Sequence, residues 1–501
     1  MKRAEFAKLK QILQQQAHEE ALTQAKLSSK GKFSARQRLA LLFDQGQYTE
    51  MFRFARGLED TSWSDGIVCG HGKVHGRPVI AFATEVQVQG GSIGVLQAKQ
   101  MAEVYRLARQ SGIPIVGLFE SGGARISEAM HISEGYVLPT RETLFCSGVI
   151  PQITCCFGHC IGASAIMATL SDFVIMESTS TLSIAGARVN LSATGENLSE
   201  DELGGVEIHT QFTGNAHFVC QGEEAVVQQA RELLRWLPAN HAERPPIFAN
   251  HDPPQRTVSA LDQLVPEDAA TPFDMLAVIR HCVDLGQFFE IQPEFAPNLI
   301  TGFAAFDGQT VAIVANQSLH LAGALDPNGA RKLARFLNFI SSFNYPLISL
   351  IDVPGAMPTL EAQKQGMLTH ISQVLHGLAN VTGLKISIVV RRLFGGTYCM
   401  VNPKKGEGDL IFAYPQAMIG VMNDEAMASV LSTSEKGKAQ VDKLHAQGLR
   451  LDDPLLSAAA MYIDDIIEPA DTRREIICAL KSFSNKRLHH LPPRHVANPP
   501  L

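Results

Sequence analysis

Short apolar runs of strand length alternate along this chain with stretches whose apolar positions recur at helical spacing. Residues 3–29, rich in Ala, Gln, Leu and Lys, predict a helix ending near Ser29-Lys30-Gly31. A second helix is predicted from Ser34, because Ser34 and Gln37 have capping-box spacing ahead of Leu39, Leu41 and Leu42. Residues 66–85 alternate apolar runs with Gly-Lys and His-Gly-Arg turns and predict a hairpin. Gly90-Gly91-Ser92-Ile93-Gly94 then opens a helix that carries Lys99, Met101 and Val104 to Ala108. Residues 113–119 predict a buried strand, and Glu120-Ser121-Gly122-Gly123-Ala124-Arg125 bends into another helix.

The pattern is organised around residues 151–165. An apolar run ends at Phe157, a small-residue turn follows from Gly158 to Gly162, and residues 163–170 predict a helix; residues 172–176 and 181–184 predict strands after it. The arrangement recurs where the run 385–390 passes through Arg391 and Arg392 into Phe394-Gly395-Gly396-Thr397-Tyr398. Gly162 and Gly396 lie 234 positions apart, and the flanks repeat at nearly that offset: residues 114–123 against 346–355, and 182–186 against 418–422. Two copies of one unit are the natural reading. Residues 236–260, dense in proline and without periodicity, are the expected linker, which gives domains 1–245 and 246–501. Residues 302–316 open the second copy, with Asp307-Gly308 as a hairpin turn; a helix over 472–483 and a proline-rich tail close the chain.

Composition narrows the function classes. A chain of 501 residues fits two domains, and its 43 Lys plus Arg against 50 Asp plus Glu give a formal charge of −7, which argues against coating a nucleic acid. The polar N-terminus lacks the apolar core of a signal peptide, and no uncharged apolar run reaches the ~18 residues of a membrane span, so a cytoplasmic protein is expected. Nine cysteines form no paired CxxC pattern; Cys155, Cys156 and Cys160 fit core packing.

No HExxH, Walker A or dinucleotide fingerprint occurs, and Glu120 and Asp352 stand at strand ends without an evident second acid. The two turns offer instead outward N–H groups at helix N-termini, whose natural task is to hold oxyanions such as a thioester enolate. Gly91 and Ser92 mark a candidate phosphate seat; Gly122 and Gly123 would let a ligand approach closely, and Arg125 could meet a phosphate or carboxylate, a surface ion pair being the other reading. A competing reading takes Ser164 as a nucleophile with His159 as its base, without GxSxG spacing or an identifiable Asp.

With those residues in view, the chain resembles the carboxyltransferase (β) subunit of biotin-dependent acyl-CoA carboxylases of the propionyl-CoA carboxylase type. The resemblance rests on residues 35–42, 90–94, 121–126, 147–153, 202–205, 321–326, 352–355, 394–398, 462–470, 485–487 and 491–494, in that order. It implies an α/β fold of two crotonase-like (ββα superhelix) domains, with the active site between the N-terminal domain of one protomer and the C-terminal domain of another, in a homo-oligomer assembling to a hexamer. It also implies a first hole for the acyl-CoA thioester oxygen, made by the amides of Gly162 and Ala163, and a second for the biotin ureido oxygen, made by those of Gly396 and Thr397 beside Gly395. Biotin itself then serves as the base once its carboxyl group has left. The chain has no ATP-grasp domain or biotinylation motif, so the resemblance puts biotin on a partner biotin carboxylase or carrier subunit and leaves coenzyme A as the substrate's carrier. Four departures stand out: Gly162-Ala163 for the family's Gly-Gly, Gly396-Thr397 for Gly-Ala, Val95 for Glu, and an altered segment 356–363. A fifth is Cys399, where propionyl-type enzymes place an Asp in the acyl pocket. The alternatives are a biotin-independent decarboxylase of a malonyl- or methylmalonyl-type thioester and a scaffold subunit that binds thioesters without turnover.

Overall fold

The chain divides between Glu243 and Arg244 into two compact units. The computed structural model describes residues 2–56 and 64–486; the proline-rich tail and the motif at 491–494 lie outside them. A long helix, α1 (Lys2–Ser28), and a short one, α2 (Ala35–Leu42), precede the first sheet. The Ser34 capping box forms as its spacing predicts: the Gln37 N–H donates to Ser34 Oγ at 3.2 Å and the Ser34 N–H to Gln37 Oε1 at 2.9 Å.

In the first unit, β1 (Tyr48–Met51), β2 (Ile67–Val74) and β3 (Arg77–Thr84) pair antiparallel. The tight turn between β2 and β3 places both His75 (φ 51°) and Gly76 (φ 75°) in the left-handed region, the type I′ geometry whose twist matches paired strands. From β3 the sheet continues in parallel through β4 (Ile115–Ser121), β5 (Gln152–Ile161), β6 (Phe173–Glu177) and, past the short β7 (Thr181–Ser183) in sequence, β8 (Phe218–Cys220). Strand β7 pairs with the carboxyl end of β5. Parallel neighbours need crossovers. These are α3 (Val95–Ser111) before β4, α4 (Met130–Cys146) before β5, and α5 (Ala163–Leu170) before β6.

The second unit repeats the plan. Antiparallel β9 (Phe288–Ile291), β10 (Leu299–Phe306) and β11 (Gln309–Asn316) lead into parallel β12 (Leu347–Val353), β13 (Lys385–Phe394), β14 (Leu410–Ala413) and, past the short β15 (Met418–Gly420) in sequence, β16 (Asp465–Ile466). Strand β15 pairs with the end of β13 as β7 does with β5. Asp307 (φ 48°) and Gly308 (φ 78°) form the same type I′ turn. The correspondence reaches single hydrogen bonds, since Ile93 N–H to Gly123 O at 2.8 Å is matched by Leu325 N–H to Gly355 O at 3.0 Å. Gly91 and Gly323, 232 positions apart, share a left-handed φ. A Cβ at either would stand 2.2 or 2.6 Å from the carbonyl oxygen of Glu120 or Asp352, so only glycine fits both places.

The first sheet buries one large apolar cluster and the second sheet two. Phe82 meets Phe119 edge-on at 5.1 Å in the first unit, and Phe303 stacks on Tyr345 at 4.9 Å in the second. Cys155, Cys156 and Cys160 are buried free thiols within the first core. The expected linker turns out otherwise. Phe248 N–H donates to Gly308 O at 2.8 Å, Thr310 Oγ1 to Pro246 O, and Val258 N–H to Ala470 O at 2.9 Å, so from residue 246 onward this stretch lies against the second unit. Proline erases the periodicity without removing the remaining backbone pairing. Among the described residues no helix is long and apolar enough to cross a membrane.

Candidate active site: two strand-to-helix turns

At the end of β5 the chain reverses into α5 through Gly162, whose φ of 66° and ψ of −123° exclude side chains at low cost. The Gly162 N–H donates to Ser183 O at 2.9 Å, and Ile166 N–H closes the first helical turn on Gly162 O at 3.0 Å. One expectation is therefore corrected: of the two amides assigned to the first hole, that of Gly162 is already taken by strand β7. The amide of Ala163, first residue of α5, has no acceptor among the described residues, as befits an N-terminal helical N–H.

The second turn is its counterpart. Gly395 has φ 66°, like Gly162, and a Cβ at Gly395 would face Val421 O at 3.7 Å as one at Gly162 would face Ile184 O at 3.8 Å. Thr397 Oγ1 donates to Phe394 O, as Ser164 Oγ donates to Ile161 O at 3.0 Å. The turns thus superimpose at an offset of 233, one less than sequence matching gives, and Gly162, Ala163 and Ser164 correspond to Gly395, Gly396 and Thr397. The amides of Gly396 and Thr397 head the short helix Gly395–Met400 and have no acceptor among the described residues. A Cβ on Gly396 would meet no atom within 4 Å, so that face of the turn is open. Cys399 is exposed on the same short helix.

The Ser164 nucleophile reading fails on geometry. The Ser164 side chain is buried and spent on Ile161 O, while His159 Nδ1 faces Thr181 Oγ1 at 2.9 Å. The phosphate-seat reading is corrected as well. The amides of Gly91 and Ser92 donate to Val88 O and Gln89 O, that of Gly122 to Gly90 O, and that of Gly123 to Ser121 Oγ. The start of α3 is capped from within, because Val95 N–H donates to Glu128 Oε2 at 2.6 Å and Gln97 N–H to Asp65 Oδ2 at 2.9 Å. Carboxylates already stand where an anion would sit. Arg125 is buried and holds these loops together, paired with Asp65 and with Glu128 at 3.1 Å and donating to Asp65 O and Ser92 O. Burial lifts the Asp65 carboxyl above its ordinary value, although Arg125 pulls the other way.

Neither strand-end carboxylate is free to act as an acid. Glu120 accepts from Lys32 and from Arg38 Nη2 at 2.7 Å; Arg38 also forks onto Glu223 and lies 4.3 Å from the Phe157 ring centroid. Asp352, fully buried, accepts from Arg391 Nη2 at 2.8 Å and from Arg392 Nε at 2.7 Å, Nη2 at 2.9 Å and backbone N–H at 3.1 Å. Arg391 lies 4.7 Å from the Phe273 centroid and donates to Asp268 O and Thr271 O. Sequence reasoning passed over these arginine–carboxylate supports. Their signal was present: two consecutive arginines inside an otherwise apolar strand demand a buried partner.

Residues 26–498 match a protein family described as carboxyl transferase domain. The chain is 37% identical over 484 residues to methylmalonyl-CoA decarboxylase subunit alpha of Veillonella parvula, covering 95% of this chain and 94% of that one. It is 35% identical over 486 residues to the propionyl-CoA carboxylase carboxyltransferase subunit of Haloferax mediterranei, covering 94% of each. It superimposes with a TM-score of 0.92 and 34% identity on a transcarboxylase 12S crystal structure described as a hexamer with methylmalonyl-coenzyme A and methylmalonic acid bound, covering 98% of this chain and 99% of the other.

Proposed function

The chain belongs to the carboxyl transferase domain family, and from that premise we propose that its two turns carry the chemistry of carboxyl exchange between carboxybiotin and an acyl-CoA thioester. The protein is a carboxyltransferase component with the crotonase-like two-domain fold, and in this reading it acts on acyl-CoA with biotin borne by a separate subunit. We place the thioester oxygen at the Ala163 amide of the first unit and the biotin ureido oxygen at the Gly396 and Thr397 amides of the second. We carry over the hexamer of the 12S relative and propose a cytoplasmic location.

One observation carries this reading: the same strand-to-helix turn occurs twice, each presenting unpaired N–H groups, while both nearby carboxylates are locked to guanidinium groups. Fixed amides at a helix start stabilise charge that develops on an oxygen and need no reorganisation to do so. The residues of the second turn suit biotin, since the open face at Gly396 admits a flat ring and the nearby Asp352 carboxylate is neutralised by Arg391 and Arg392. When bound, biotin supplies a ureido nitrogen that accepts or releases the carboxyl group. Ala163 holds the thioester oxygen while the α-carbon carries the electron pair left by, or about to attack, that carboxyl group. A second reading, a biotin-independent decarboxylase, needs the thioester half alone; the name of the Veillonella relative speaks for decarboxylation of a methylmalonyl thioester and is silent on biotin. Incubation with methylmalonyl-CoA in the presence and absence of free biotin separates them. The transferase reading requires propionyl-CoA formation that depends on biotin; equal rates without biotin would support the decarboxylase.

A further inference from the structure

The two turns differ in the charge beneath them. Under the first, Lys32 and Arg38 balance Glu120 and Glu223. Under the second, Arg391 and Arg392 share the carboxylate of Asp352, the Asp268 carboxylate also acts on Arg391, and a ligand would meet positive charge only from a guanidinium with a free N–H. Arg391 cannot present that charge, because its side chain is 1% exposed and is consumed by Asp352, Asp268 O and Thr271 O. Arg392 can. Its side chain is 12% exposed, Asp352 grips it through Nε and Nη2, and Nη2 also donates to Ala322 O at 2.8 Å. Nη1 has no acceptor among the described residues. Arg392 stands three residues before Gly395 at the carboxyl end of a parallel strand, the end where open α/β sheets bind ligands. The matching position in the first unit is His159, which pairs with Thr181.

Resting on the proposed exchange with biotin, we infer that Arg392 is the specificity-determining residue of the second turn: its guanidinium, aimed by Asp352 and Ala322, binds the carboxylate of the carboxylated carrier and ignores the uncharged one. A guanidinium already held by two protein acceptors loses little entropy on meeting a third, and a charge-assisted contact in a water-poor site is strong. The inference separates two quantities that a structural role would move together. In the acyl-CoA carboxylation direction, chemically prepared carboxybiotin is the varied substrate; in reverse, free biotin is. Arg392→Gln should raise KM for carboxybiotin about 10- to 100-fold, the range expected for losing one hydrogen bond to a charged group, and change KM for biotin less than about threefold. Arg392→Lys, which keeps the charge and loses the fork, should recover most of the carboxybiotin affinity lost with Gln; Arg392→Met, which keeps the length without the charge, takes the place of the Gln variant should that one not fold, with the same expected KM split. If both KM values move equally when the charge is removed, or neither moves while the wild type transfers normally, the inference is overturned and the proposed function stands. A wild-type protein that exchanges carboxyl groups with neither form overturns both.

Discussion

Replacing Ala163 by proline removes one N–H from the first turn and changes little else. Ala163 is the first residue of α5, where proline's missing donor costs no intrahelical bond and its fixed φ suits the helix. The residue four places back, His159, lies in strand β5, so the ring meets no carbonyl of a preceding helical turn. The preceding residue is glycine, which tolerates the pre-proline restriction better than any residue with a Cβ. The stability change should therefore stay within about 1 kcal/mol. Catalysis should suffer far more. The Gly162 N–H is committed to Ser183 O, so the Ala163 amide is the outward donor this turn offers at its apex, and losing one oxyanion donor typically costs about 2.7–4 kcal/mol, a fall of about 10² to 10³ in turnover. The assay is carboxyl exchange with methylmalonyl-CoA, alongside thermal unfolding and thioester binding. Ala163→Ser, which keeps the N–H, is the matched control and should stay within about threefold of wild type. A folded Ala163→Pro protein with wild-type turnover would refute the assignment of the thioester oxygen to this amide.

Other expectations follow from the same geometry. With Cys399 in place of an acidic side chain, kcat/KM measured across acetyl, propionyl, butyryl and longer thioesters should peak away from propionyl, and Cys399→Asp should move the optimum towards it; a sharp propionyl optimum in the wild type would contradict this. Asp352→Asn leaves two guanidinium groups without their shared counter-charge and should cost about 3–5 kcal/mol in urea unfolding; a loss below about 1 kcal/mol would show that the cluster relaxes to solvent. The hydrogen bond from Arg256, against the opposing cost of burial, holds the Asp252 carboxyl down at about 2 against an ordinary 3.8. Its stabilisation is therefore complete above the ordinary value and lost as pH falls towards 2, so the stability gap between wild type and Asp252→Asn should be constant above about pH 5 and shrink below about pH 4. A gap independent of pH would contradict this.

Much of this fold was legible because local and global signals agree in it. The Ser34 capping box, the Asp307-Gly308 turn and the strand runs at 113–119 and 385–390 are set by short-range chemistry and form where their residues predict. Two things were not legible. The register of the repeat slipped by one at the turns, because matching Gly to Gly cannot distinguish Gly395 from Gly396; only the left-handed φ at Gly395 and the Thr397 hydroxyl bond fix it. The roles of Gly122 and Arg125 also depended on long-range pairing. Whether a loop amide faces outward or donates to another loop thirty residues away is invisible to spacing, and so is the difference between an arginine awaiting a phosphate and one already held by Asp65.

The most direct test of the central claim lies at Gly396, the structural counterpart of Ala163, where a side chain has open space. Gly396→Pro deletes an amide that a transferase needs for the biotin oxygen and that a decarboxylase does not. With methylmalonyl-CoA and free biotin, the wild type should form propionyl-CoA in a biotin-dependent reaction, and the variant should lose about 10²-fold or more of that rate while binding the thioester with unchanged affinity. Release of CO₂ without biotin at enzymatic rates, equal in wild type and Gly396→Pro, would contradict the claim that the second turn takes part in carboxyl transfer.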